Sequence, residues 1–186
     1  MISADAVSSA KLMLHICCAP DATVPLPQLI QEGYAVSCCF YEGNIHPETE
    51  FQRRRGAVET LCSLFGVPLS VHAYDPFAWF QQTEPYKEQP ERGARCAICF
   101  TAQLRFAAQR AVLSGCDLLC TTLTISPHKS AEEINAIGEK IASEHALKWV
   151  PRIWRKSDGF VRSVRESRRL GLYRQSYCGC IYSLRG

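Results

Sequence analysis

The sequence predicts an α/β fold in which a mostly parallel sheet is covered by helices on both faces. Two observations and one rule of chain topology predict it. Short apolar runs alternate with amphipathic stretches from end to end, and each run is bounded by Gly, Pro or polar residues. The length of 186 residues fits one domain with a substantial core. Alternation of this kind builds βαβ units, and these pair in parallel.

Taken in order, the strands are expected at residues 12–16 (LMLHI), 34–40 (YAVSCCF), 67–72 (VPLSVH), 117–121 (DLLCT) and 147–150 (LKWV). Helices fill the intervals. A short one is expected over 24–32. A longer one spans 47–65, opened by Pro47 with Glu48 and Glu50 in its first turn and stopped at Gly66. Residues 96–114 form a helix ending at Gly115, and Ser130 with Glu133 reads as a capping box for one running to about 145. Residues 151–186 are rich in Pro, Arg and Tyr, with one helix over 157–170 and then the loop QSYCGC. No repeat, low-complexity tract or second domain is visible, so residues 1–186 read as a single domain whose C-terminal segment packs near the active site.

The net charge of +3 is unevenly placed. From Lys148 to Arg174 the chain carries Lys148, Arg152, Arg155, Lys156, Arg162, Arg165, Arg168, Arg169 and Arg174 against only Asp158 and Glu166. Such a face is either solvated or anion-binding. Its interleaving with Trp149, Trp154, Phe160, Tyr173 and Tyr177 suits phosphate contact and base stacking with RNA. No apolar run is long enough to span a membrane. The start MISADAVSSA lacks the charged and apolar segments of a signal peptide, so the protein is expected in the cytoplasm.

Eleven cysteines in a reducing compartment point to metal or redox chemistry rather than structural disulfides. Three pairs stand out: Cys17-Cys18, Cys96-x-x-Cys99 and Cys178-x-Cys180. Thiolates are the preferred ligands of zinc, copper(I) and iron-sulfur clusters, and a CxxC at a helix start puts both sulfurs on one side of a turn. Arg92 and Arg95, with the helix dipole, are expected to favour the thiolate of Cys96. Spacing alone leaves open a zinc site made by Cys96, Cys99, Cys178 and Cys180, a redox disulfide between the last two, and a purely buried role for one of Cys17 and Cys18. Cys38, Cys39, Cys62, Cys116 and Cys120 sit inside apolar patterns and read as core.

In sheets of this kind ligands bind beyond the carboxyl ends of the strands. Cys17, Cys18 and Asp21 follow the first strand, YEGNIHP the second and TTLTISPHK the fourth, so these segments are expected on one rim. Asn44, Ser126 and Lys129 are the candidates there for binding a polar or phosphorylated substrate. Turn and capping roles explain the same residue types.

The segments LHICCAPD, YEGNIHPETEFQRR, RCAICF, TTLTISPHKS and YRQSYCGCIYS, in that order and spanning about residues 11–183, resemble the cobalamin-independent epoxyqueuosine reductase family. The resemblance implies a fold like the nucleotide alpha-hydrolase superfamily and an oxidoreductase acting in queuosine biosynthesis, where the epoxide of epoxyqueuosine in tRNA is reduced to the alkene. It implies a [4Fe-4S] cluster with Cys17, Cys18, Cys96 and Cys99 as ligand candidates, and a further iron or zinc ion with Asp21 as its extra ligand. Cys178 and Cys180 match a family CGC, as added ligands or as a redox pair. The reduction consumes two electrons and two protons and releases water. Tyr41, His46, Glu48 or a bound water is the candidate proton donor. In the absence of a GxGxxG fingerprint, the electrons are expected from a ferredoxin- or flavodoxin-like partner. Arg165, Arg168 and Arg169 are the candidates for holding tRNA. Two other readings stand beside this one. An ATP-using tRNA-modifying enzyme of the same superfamily needs a Gly/Ser-rich phosphate loop where this chain has CCAPDA, and a zinc module that binds RNA without redox activity needs only the thiols.

Overall fold

The computed structural model describes residues 9–184. The reading of the N-terminal start therefore falls mostly outside the described residues. Five strands, β1 (Lys11–Ile16), β2 (Ala35–Phe40), β3 (Leu69–Val71), β4 (Leu118–Thr121) and β5 (Lys148–Trp149), form one sheet of order β3-β2-β1-β4-β5. Every pairing is parallel, with Leu12 opposite both Val36 and Leu118. The central strand has both faces covered, which is why β1 is buried from Leu12 to Ile16 and apolar there except at His15.

Alternate residues of the strands feed two separate cores. Leu12, Leu14, Ile16, Cys38 and Phe40 face a layer made by α1 (Ala19–Ala22), α2 (Pro25–Gln31) and α3 (Glu48–Phe65). Met13, Cys39 and Leu119 face α5 (Ala94–Leu113) and α6 (Ala131–Glu144) on the other side. The cysteines expected in the core lie there: Cys38, Cys62 and Cys120 in the first layer, Cys39 and Cys116 in the second. The two remaining helices are α4 (Phe77–Thr83) and α7 (Gly159–Arg169).

Local chemistry sets several boundaries as the sequence foretells. Pro47 caps α3, Glu48 and Glu50 occupy its first turn, and Gly66 ends it in the left-handed conformation at φ 63°. Ser130 Oγ caps α6 by accepting the Glu133 amide at 3.1 Å, but its hydroxyl turns to Glu132, so half of the expected box forms. Two elements were not expected. Pro20 at the second position starts the single turn α1 directly after Cys18, and α4 forms where the apolar spacing is too short to register. Among the described residues no helix is long and apolar enough to cross a membrane.

Candidate active site

Strand order reverses between β1 and β4, and the chain leaves both strands at the same sheet edge. Beyond that edge lies a cavity of about 570 Å³, of the size that holds a small ligand. Cys17, Cys18, Asp21, Cys96 and Cys99 all line it, as do Cys178 and Cys180 from the C-terminal loop. Asn44, Ser126 and Lys129 line it too, so the three rim segments do converge.

The backbone explains how adjacent cysteines serve one site. β1 ends at Ile16, and Cys17 sits at a bend, its amide donating to Thr122 Oγ1 at 3.2 Å. Cys18 is the extended N-cap of α1, at φ −167° and ψ 157°. The alternation of a strand therefore stops before it would send the two thiols to opposite faces. Ligand atoms of Cys17, Cys18 and Asp21 lie within 4.8 Å of one another, and Cys17 Sγ is 3.2 Å from Asp21 Oδ2. Among the described residues this is the one trio gathered to single-ion dimensions. Cys96 and Cys99 share the cavity but stand outside that group, so a species joining all four thiols must be larger than one ion. A [4Fe-4S] cluster fits that donor set, which is four thiols with a carboxylate beside them. The zinc site of Cys96, Cys99, Cys178 and Cys180 is not gathered to such a distance among the described residues.

N–H donors point at these sulfurs. Cys18 Sγ accepts from Gln175 Nε2 at 2.8 Å, Cys99 Sγ from Gln103 Nε2 at 3.2 Å, and Cys96 Sγ from the Arg92 amide at 3.2 Å. Arg92, through its amide, and Arg95, through its charge, do favour the Cys96 thiolate as expected, but they do not prevail. Burial pushes the Cys96 thiol up despite the Arg92 amide and the Arg95 charge, and pushes Cys99 up to about 12. The guanidinium groups do other work. Arg95 NH1 holds the carbonyls of Tyr86, Lys87 and Gln89, fixing the loop before the CxxC, and Arg92 Nε donates to the His128 carbonyl at 3.0 Å. Burial and the neighbouring Cys17 and Asp21 likewise raise Cys18. Lys129 is half-buried among Cys17, Asp21, Cys18 and Cys178. Burial disfavours its ammonium, but these neighbours outweigh that cost and hold its pKa above the usual lysine range.

The C-terminal loop is clamped by Arg54, to which the sequence reading gave no role, and by Glu50 and Tyr173, which it read as a first-turn acid and a tail aromatic. Arg54 is 2 % exposed, pairs with Glu50 at 2.8 Å, and donates to the carbonyls of Tyr177 and Cys178 at 3.1 and 3.0 Å. Tyr173 Oη donates to the second Glu50 oxygen at 2.7 Å. Gly179 sits at φ 112°, and a Cβ there would lie 3.1 Å from Arg54 and 3.3 Å from the Asn44 carbonyl. Only glycine suits both the backbone and the space. Glu50 and Arg54 stand one turn apart in the quoted run ETEFQRR, and that i,i+4 spacing was the available signal. Cys178 and Cys180 form no disulfide. The hydrogen bond between them pulls exposed Cys178 down to about 5 and drives buried Cys180 up.

The proton-donor candidates of the second-strand loop stand apart from this cavity. Tyr41, His46 and Glu48 are not among its lining residues. His46 is buried in an aromatic nest of Tyr74, Trp79 and Phe80, its Nδ1 on Tyr74 Oη at 2.9 Å, and Glu48 is exposed at the start of α3. Arg165, Arg168 and Arg169 are exposed on α7, with Arg165 and Arg169 bordering a groove against α2.

With this geometry in hand, comparison with known proteins is decisive at one point: the family profile described as "Epoxyqueuosine reductase QueH" matches residues 12–186. The chain belongs to the epoxyqueuosine reductase QueH family. Family members of that name share 35 % identity in Streptococcus pyogenes (92 % of this chain, 69 % of that protein) and 35 % in Acinetobacter baylyi (94 % and 81 %). The QueH of Thermotoga maritima is 32 % identical over 93 % of this chain and 90 % of its own. Among solved structures, the U34-tRNA thiolase NcsA of Methanococcus maripaludis, determined with its [4Fe-4S] cluster, superposes with a TM-score of 0.60. It is 13 % identical, over 95 % of this chain and 62 % of that one, so the likeness is one of fold. A predicted tRNA methyltransferase subunit from Methanocaldococcus jannaschii gives 0.58 at 12 % identity, over 85 % and 75 %. The fold expectation, a mostly parallel sheet with helices on both faces, stands, and both structures share that fold.

Proposed function

We propose that this chain reduces the epoxide of epoxyqueuosine in tRNA to the alkene of queuosine at the cavity beyond β1 and β4. The observation that carries the reading is the gathering of Cys17, Cys18, Asp21, Cys96 and Cys99 around one cavity in a chain of the QueH family. Cys17, Cys18, Cys96 and Cys99 would hold a [4Fe-4S] cluster, and Asp21, beside Cys17, would bind a further iron or zinc ion. Bound there, these groups supply single electrons and a Lewis acid for the epoxide oxygen. Two electrons and two protons enter, one C–O bond and then the other breaks, and the oxygen leaves as water.

The protein's part is binding and charge placement. Lys129 presents an ammonium beside Cys17, Cys18 and Asp21, suited to donating a hydrogen bond to the departing oxygen. Asn44 and Ser126 offer an amide and a hydroxyl for the polar substituents of the substrate. Arg165, Arg168 and Arg169 extend a basic surface for tRNA phosphates, and Cys178 with Cys180 serve as a redox pair or as added ligands at the cavity wall. A ferredoxin- or flavodoxin-like protein of the cytoplasm supplies the electrons. The ATP-using reading lacks its phosphate loop: α1 is a single turn opened by two thiols.

Anaerobically loaded protein incubated with epoxyqueuosine-containing tRNA and a strong reductant should yield, after digestion and mass spectrometry, a nucleoside lighter by one oxygen. Cys96→Ala should lose iron and turnover together. Retention of both would overturn the ligand assignment, and a colourless zinc-only protein without labile sulfide would favour the RNA-binding zinc module.

A further inference from the structure

Two glutamines reach the cavity sulfurs from two different parts of the chain. Gln103, 3 % exposed on α5, spends its Nε2 on the Cys99 carbonyl and on Cys99 Sγ, both at 3.2 Å. Gln175, on the C-terminal loop, makes its one side-chain hydrogen bond among the described residues to Cys18 Sγ, at 2.8 Å. A neutral thiol is a poor acceptor, so directing a buried amide at it gains little. A metal-bound thiolate repays it, because a charged acceptor roughly doubles the strength of a hydrogen bond. The Arg92 amide on Cys96 Sγ repeats the arrangement on a third sulfur with a backbone donor.

We propose that Gln103 and Gln175 are positioning residues that raise the reduction potential of the cluster by donating N–H hydrogen bonds to the sulfurs of Cys99 and Cys18, an inference that rests on those cysteines being its ligands. An added electron spreads over the ligand sulfurs. An N–H dipole aimed at a sulfur therefore stabilises the reduced cluster more than the oxidised one. The two donors act on different sulfurs and from different elements, so their effects should add.

The test is an EPR-monitored redox titration of anaerobically loaded native protein, Gln103→Leu, Gln175→Leu and the double variant, with iron and sulfide content measured in parallel. Each single variant should keep native iron and sulfide and titrate at a more negative midpoint, with the double variant more negative still. Gln103→Glu and Gln175→Glu, which place a carboxylate at the sulfur, should titrate below the leucine variants. Midpoints equal to native with the cluster intact would overturn the proposal. Loss of the cluster in both leucine and glutamate variants would also overturn it, by making the glutamines structural supports. Failure of the native protein to take up iron and sulfide would instead overturn the ligand reading beneath it.

Discussion

Arg54 shows how one residue ties a distant loop to the site. Its guanidinium is shared between Glu50 in its own helix, a buried pair, and two carbonyls of the C-terminal loop in partly buried bonds. Arg54→Met leaves Glu50 in the interior without its counter-ion, with only the Tyr173 hydroxyl still bonded to it, which costs about 3 kcal/mol. Denaturant unfolding should register that loss, and proteolysis should cut the released segment around Tyr177 and Cys178. Two histidines give the metal-free protein an acid-sensitive stability. Burial lowers His15 to about 3, with Lys129 adding to the effect, and burial lowers His46 to about 4, both from an ordinary 6.5. Because the folded-state values are depressed, the neutral rings contribute fully above about pH 6.5, and that contribution is lost as pH falls toward the folded values. Each histidine should take about 1.4 kcal/mol per pH unit between about 6 and 4.5. Urea melts at several pH values should show this slope, and His15→Gln should remove about half of it. The sequence marked His46 as a candidate proton donor of the second-strand loop. It did not show that His46 is enclosed by Trp79 and Phe80, because α4 forms its contacts only in the folded chain.

At the scale of elements, the regular pieces were legible and the irregular ones were not. The five strands and the long helices α3, α5 and α6 announce themselves by apolar run length, first-turn acids and terminal glycines. The single turn α1 has too few residues for any periodicity, yet it decides that Cys17 and Cys18 serve one site. α7 was visible as a basic helix, but its seating was not. It buries only Gly159, Ser163 and Ser167, small residues four apart, so it lies close against the chain while its arginines stay outside. Thr23 Oγ1 donates to the Ser163 carbonyl at 3.4 Å, which fixes the helix just beyond α1 and hence near the cysteines. If that stripe contacts tRNA phosphates, Arg165→Gln, Arg168→Gln and Arg169→Gln together should weaken binding and reduce the slope of log K against log salt by about 2–3. An unchanged slope would mark the stripe as a solvated face.

The whole molecule gathers its cysteine-lined cavity beyond the carboxyl ends of its strands, which the strand alternation leads one to expect, whereas the reversal of strand order between β1 and β4 came only with the fold. What required folding was the meeting of residues far apart in the chain: Cys17 and Cys18 after the first strand, Cys96 and Cys99 at a helix start, and Gln175 from the tail. No local pattern encodes those distances. The most direct test is an anomalous-scattering map at the iron edge, from crystals of the anaerobically loaded protein. The account predicts iron bonded to the sulfurs of Cys17, Cys18, Cys96 and Cys99, with a separate metal peak at Asp21. A single zinc peak, or iron held by Cys178 and Cys180 in place of Cys96 and Cys99, would contradict it.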